Sequence, residues 1–262
     1  MPKRFLSLGL VLTLVSALYS QRDIAFSTDE YLGGGIGYTP MFLLLDMAKS
    51  YPFNTGTDAT GTGLLSADGL QFSKEDIALL GNILVIHGAE GFGNVSGNWR
   101  VGAYVGLGSK SISSVDTTAY PTLHTDLKIA LMTGSASIEY VIPLFSNLEI
   151  AAGSLFGLSR AIIQFAKKEV DPIWYDQFIF NGDGINANNY SVALSGTFFT
   201  FQPYVAIKLQ FLDRAGLRMS AGYNVGTLPA KEWTLNDFSN ILAPSPSNFN
   251  APAVRVMLYL GI

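Results

Sequence analysis

A chain of 262 residues with 48% hydrophobic but only 14% charged side chains departs from ordinary soluble domains, where about a quarter of residues are charged. The formal charge of −4, with no basic run, argues against nucleic-acid binding, and the lack of cysteine leaves stability to packing and hydrogen bonding. No stretch approaches the roughly 20 consecutive apolar residues of a membrane-crossing helix, so the oiliness is carried in some other pattern.

Residues 1–20 have the layout of a removable export signal. Lys3 and Arg4 give a positive start, and the apolar run from Phe5 to Val15 is broken only by Ser7, Gly9 and Thr13. Small residues offer cleavage after Ala17 or Ser20, and no cysteine is there to receive a lipid anchor. The mature chain, 21–262, is expected to form a single domain with 14 basic and 20 acidic side chains.

The first strand is expected over 31–45, where "YLGGGIGYTP" places Gly33, Gly34, Gly35 and Gly37. These glycines do not complete a dinucleotide fingerprint, because Tyr38 stands at the final glycine position. "GFGNVSG" (91–97) misses that spacing by one residue, and "GLGSKS" (106–111) lacks the glycine before Lys110 that a P-loop needs. Strands follow at 80–93 and 98–112. In the latter, Trp99, Val101, Ala103, Val105 and Leu107 share one face, and Arg100, Gly102, Tyr104, Gly106 and Gly108 the other. That alternation is the period of a β-strand. Further segments lie at 124–142, 147–166, 189–212, 216–229 and 251–262. In 124–142 the alternation breaks near Thr133-Gly134, where Leu127, Ile129 and Leu131 give way to Ile138, Tyr140 and Ile142. A bulge is expected there, and others at Pro40 and Pro203, which cannot donate to a ladder. Where the alternation is clear, the face opposite the apolar one carries glycines and isolated charges rather than the Lys, Glu and Thr of a solvent face.

The gaps at 93–98, 142–147 and 212–216 are short and turn-like, whereas 46–79, 113–123, 167–188 and 230–250 are long. Residues 46–53 and 73–81 have the composition of one or two helical turns, and 242–250 that of a loop. Long and short gaps alternate along the chain. The expected fold is therefore all-β: an eight-stranded antiparallel up-and-down transmembrane β-barrel with short periplasmic turns and long outer loops. Several segments exceed the 9–11 or so residues that cross a bilayer, so the wall is expected to project beyond it unless the segments are shorter than drawn.

An eight-stranded barrel is filled by side chains, and inward glycines make room for large neighbours. Arg100, Glu139, Glu149, Lys208 and Arg218 lie close to the short turns and are expected at one level of the lumen, with Arg255 nearer mid-barrel and Lys128 also assigned to this charge network. Cations and anions in a closed space form a paired plug, or line a gate or narrow ion path. Trp99, Tyr140, Phe145 and Phe211 suit an interfacial girdle or an ordinary core. Trp174, Tyr175, Phe178 and Trp233 lie in long gaps and form a ligand surface or pack over the barrel mouth. His124, with Ser113, Ser114 and Asp116 nearby, is the one catalytic candidate, and it matches no specific spacing. No enzyme activity, cofactor or metal is expected; Asn181 and Asp183 begin a calcium-loop pattern that Ile185 breaks.

With its export signal, "WRVGAYVGLG", "LEIAAGSLFG", "LRMSAGYNVG" and the closing "VRVMLYLGI", the chain resembles the small outer-membrane β-barrels of double-membraned bacteria, OmpA/OmpX-like in broad architecture. The resemblance covers nearly the whole mature chain. It implies residence in the outer membrane, with lipid and the barrel assembly machinery as partners and an extracellular ligand bound through long loops. The chain also looks like uncharacterised glycine-rich exported proteins of this type, a likeness that implies no biochemical role; the expected role is structural, adhesive or loop-binding. Such barrels often end in an aromatic residue, and this chain ends in Ile262. Two other functions remain open: a lipid-modifying barrel enzyme, and a soluble lipocalin-like carrier. The carrier requires the apolar faces to point inward.

Overall fold

The computed structural model describes residues 34–45, 81–116, 123–169, 190–241 and 246–261. The export signal, Trp174, Tyr175, Phe178, Asn181 and Asp183, and the expected helical turns at 46–53 and within 73–80 lie outside them. The described residues are almost entirely strand: β1 (Gly35–Tyr38), β2 (Met41–Leu43), β3 (Leu84–Ser96), β4 (Trp99–Asp116), β5 (Leu123–Phe145), β6 (Leu148–Glu169), β7 (Tyr190–Leu212), β8 (Ala215–Leu228), β9 (Trp233–Leu235), β10 (Ser239–Ile241), β11 (Ser247–Asn248) and β12 (Ala251–Gly261). β1 and β2 are two halves of one barrel strand, since both pair with β3 on one side and β12 on the other. From β3 to β8 each strand pairs antiparallel with the next, and β8 pairs with β12. The eight-stranded antiparallel up-and-down barrel is thereby closed.

Three tight turns join the strands at one end: Gly97-Asn98, Ser146-Asn147 and Asp213-Arg214. Gly97 takes φ 52°, a left-handed conformation that suits glycine. Beside each turn the register shifts by one residue, between Asn94 and Ser96, Pro143 and Phe145, and Gln210 and Leu212. The extra residues are Val95, Leu144 and Phe211, all exposed and apolar, so each hairpin adds one oily side chain to this rim.

The bulges expected elsewhere are absent. Around Pro40 the pairing with β3 and β12 keeps its register, and Thr39 N–H donates to Gly88 O (2.8 Å) while Pro40 O accepts from Val256 N–H (3.2 Å). Pro203 sits opposite Ser154 in an unbroken β6–β7 ladder, and only its pairing with β8 opens locally. Both prolines cost a donor and nothing more. β5 also runs past Thr133-Gly134 in constant register with β4 and β6. The pattern breaks there because the environment changes. Leu127, Ile129 and Leu131 are buried inside the barrel, and so, on the same face, are Thr133, Ser137 and Glu139. Met132, Ile138, Tyr140 and Ile142 point out. The strand keeps its pleat while oil and polarity exchange faces.

The wall projects above the bilayer-sized part. β4, β5, β6 and β7 have 18, 23, 22 and 23 residues, and 23 residues measure about 75 Å along the strand. The 113–123 gap accordingly shrinks to 117–122. Nor is 230–250 a plain loop. A 3-10 turn at Ala230–Glu232 leads into the β9–β10 hairpin, and β9 pairs with Leu194 and Ser195 of β7 above the end of the β7–β8 ladder. β11 pairs with Thr227 and Leu228 of β8, although its residues read as loop composition.

Candidate functional site

Among the described residues, buried charge is concentrated in the lumen. Strand parity turns Glu90 of β3, Arg100 of β4, Glu139 of β5, Glu149 of β6, Lys208 of β7, Arg218 of β8 and Arg255 of β12 inward. They join in an unbroken alternating series. Lys208 Nζ lies 3.2 Å from Glu149, Glu149 2.7 Å from Arg100, and Arg100 3.7 Å from Glu139. Arg218 bridges Glu139 to Glu90, and Glu90 lies 3.0 Å from Arg255. Most of these groups are at least nine-tenths hidden, and Glu149 is the most open, with 16% of its side chain exposed at the turn end. Charges so placed persist only because each is paired.

Aromatic rings fill the space between the ions. The Tyr204 hydroxyl donates to Glu139 (2.7 Å), and its ring lies 4.4 Å from the Arg255 guanidinium. Phe92 stacks 4.7 Å from Arg100, and Lys208 lies 5.3 Å from the Tyr259 ring. The inward glycines leave the room. A Cβ on Gly216 would meet the Tyr259 hydroxyl at 2.3 Å, and one on Gly88 would meet that of Tyr104 at 2.7 Å. The expected packing role of the glycine-rich face is what these distances describe. Of the opening glycines, Gly35 faces Phe92 and Tyr259 in the same way, and Gly33 lies outside the described residues.

Above the ions comes a layer of hydroxyls, where Ser159 Oγ lies within hydrogen-bond reach of the Thr133 (3.0 Å) and Thr200 (3.3 Å) hydroxyls. Higher still the interior is oily: Leu127, Ile129, Ile163, Phe165, Leu194 and Trp233 belong to one buried cluster.

Arg100, Glu139, Glu149, Lys208, Arg218 and Arg255 are therefore brought together, and two corrections apply. Lys128 is not in the lumen. It is exposed on the outer wall, beside Ser111, Asp126 and Gln164, because Leu127 and Ile129 take the inside at that height. Glu90, which links Arg218 to Arg255, belongs to the series but was not among the expected members. It shares the inward face of β3 with Phe92. Trp233 is fully buried among the upper apolar residues and offers no ligand surface.

The outer wall of the lower barrel is apolar all round. Val101, Val105 and Leu107 of β4, Phe156 and Leu158 of β6, Val205 and Ile207 of β7, Met219 of β8 and Leu258 of β12 are all exposed. Trp99 and Tyr140 stand on this wall beside the turns with their rings edge-to-face at 5.4 Å, and Phe145 and Phe211 are exposed on the same rim. This is the girdle arrangement and not a core. His87 also faces outward, its Nδ1 2.6 Å from the Tyr38 hydroxyl.

No family model matches the chain, and no curated protein sequence does. Among solved structures it is similar to Ail, the attachment invasion locus protein of Yersinia pestis, determined alone and in complex with the heparin analogue sucrose octasulfate. Identity is 9% over 87% of this chain and 95% of that one, with a TM-score of 0.34. It is also similar to Acinetobacter baumannii CarO2, at 12% identity over 67% of this chain and 92% of that one, with a TM-score of 0.30. Both are small bacterial outer-membrane β-barrel proteins. The likeness stops at the strand plan.

The catalytic candidate does not assemble as a nucleophile and base. Ser113 Oγ donates to Asp126 Oδ1 (2.6 Å), and His124 Nδ1 lies 3.6 Å from that same oxygen. The serine is thus tied to the carboxylate and not to the imidazole, where a base must act. Among the described residues no group of three His, Cys, Asp or Glu side chains is placed to hold a metal ion.

On the upper outer wall, Asp237 in the β9–β10 turn accepts from Ser195 Oγ and from Arg160 Nη2, both at 2.6 Å. The Ser195 hydroxyl, and then the Arg160 charge, hold its carboxyl below the usual carboxylate range.

Proposed function

We propose that this protein is a sealed β-barrel of the outer membrane of a double-membraned bacterium, passing no ions and holding its outer connections as a platform for binding or adhesion. One observation carries the reading: the lower barrel is inside out. Val105, Leu107, Leu158 and Leu258 are each about 60% exposed, while Arg100, Glu139, Arg218 and Arg255 are nearly fully hidden. Water would reward the opposite arrangement, and hydrocarbon rewards this one. The closed ring leaves no unpaired edge at that depth. A lipocalin-like carrier needs the apolar face around the cavity, and at this level that space is occupied by ions.

The seal follows from the filling. The lower lumen holds the ion series with its aromatic rings, and the upper lumen holds a packed apolar core. Lipid is the partner of the outer wall, and the barrel assembly machinery inserts the chain. No catalytic role is assigned.

Membrane fractionation followed by detergent extraction tests the location, and planar-bilayer recording tests the seal. The protein is expected in the outer-membrane fraction, released only by detergent, and silent in the bilayer. Extraction by salt or alkali alone would remove the location, and stable conductance steps would remove the seal.

A further inference from the structure

The lumen series contains four cations, Lys208, Arg100, Arg218 and Arg255, and three anions, Glu149, Glu139 and Glu90. Among the described residues the series therefore holds one more cation than anion. Arg255 stands at the inner end of the series, is 1% exposed, and among the described residues has Glu90 as its ion-pair partner.

The guanidinium of Arg255 is fixed on two sides. Nη1 donates to Glu90 Oε2 at 3.0 Å, and the Tyr204 ring covers a face at 4.4 Å. Among the described residues Nε and Nη2 have no hydrogen-bond partner. These two nitrogens form the side edge of the guanidinium, the fork that grips an anion through two parallel hydrogen bonds. Among the described residues two further buried lumen donors also lack partners, Arg218 Nε and Gln202 Nε2, and Gln202 lies two residues from Tyr204 on the same inward face of β7. Buried donors left without acceptors are costly, and a buried unpaired cation more so.

We infer that Arg255 holds a small monovalent anion inside the barrel, gripped by its Nε–Nη2 edge with Gln202 as a second donor. A halide-sized ion supplies the missing acceptor and the missing negative charge together. A water molecule would supply only the first. The inference does not depend on what surrounds the barrel.

Bromide and chloride are the probes. Crystals of the full chain grown with sodium bromide are expected to show an anomalous peak at the Arg255 side edge. In detergent, the thermal unfolding midpoint is expected to rise with chloride at constant ionic strength set with gluconate, by an equal increment for each tenfold increase above the dissociation constant. Arg255→Lys keeps the charge facing Glu90 but removes the fork, and is expected to weaken chloride affinity at least tenfold. Water alone at the fork overturns the inference. So does a bromide peak without chloride dependence in solution, an adventitious ion only, or an equal chloride response in Arg255→Lys. Should that variant fail to fold, the wild-type titration and the anomalous map decide the matter together.

Discussion

Below Thr133 the barrel is oily outside and ionic inside, and above it the two faces trade places. On β4 the outward residues run Trp99, Val101, Ala103, Val105, Leu107 and then Ser109, Ser111, Ser113. On β5 the inward residues run Glu139, Ser137, Thr133 and then Leu131, Ile129, Leu127. Each strand is continuous across the boundary, so backbone geometry does not mark it. The surroundings do. The lower half is organised for hydrocarbon and the upper half for water, and one closed sheet serves both because its hydrogen bonds are satisfied in either.

The largest effect expected from breaking this contrast lies in the ionic half. Glu90→Leu leaves Arg218 short of one partner and Arg255 without its carboxylate, and should cost about 3–5 kcal/mol in reversible unfolding by urea in lipid vesicles. A loss below about 1 kcal/mol would mean that the arginines re-pair or are hydrated.

Next comes one substitution at two heights of β4. Val105→Arg, midway up the apolar wall, should cost about 2–4 kcal/mol by the same measurement. Ser111→Arg, three residues further on the same face and already among polar neighbours, should change stability by no more than about 0.5 kcal/mol. Equal costs would erase the boundary between the halves.

A smaller effect belongs to the rim. Trp99→Ala and Tyr140→Ala in a double-mutant cycle should show about 0.5–1.5 kcal/mol of coupling from the edge-to-face pair.

The smallest is a local pH response in the upper half. The Asp237 carboxyl titrates lower in the folded hairpin than in the unfolded chain. Its contribution is therefore present above the ordinary carboxylate value of about 3.9 and is lost as pH falls through the depressed one. Hydrogen exchange at the Asn236 amide, which donates to Ala193 O at 2.7 Å, should lose protection at acid pH in the native protein. In Asp237→Asn the protection should no longer vary with pH over that window.

The same boundary decides what could be read from the amino acids. Strand positions were legible because alternation persists in both halves; only its sign changes. The phase break at Thr133-Gly134 was visible, but an insertion and an exchange of environments leave the same trace along one strand. Lys128 faces inward only if Leu127 and Ile129 face outward like Ile138, and at its height the apolar side is the inner one. Glu90 escaped notice because the outward face of β3 carries Ala89 and Gly91, too slight to declare an orientation. The three register shifts fall beside turns, where too few residues follow to reveal a slip. Pairings within the lumen needed the barrel closed, since Glu90 and Arg255 stand 165 positions apart.

The tall part of the sheet has a mechanical consequence. Beyond Leu107 the outer face of β4 carries Ser109, Ser111 and Ser113 before Val115, and the strand continues to Asp116, eight residues or about 25 Å, with β5, β6 and β7 beside it. β4, β5, β6 and β7 therefore end on a pedestal above the apolar band of the wall. Shortening those four strands by an even number of residues would lower the pedestal while leaving the ion series and its aromatic rings in place.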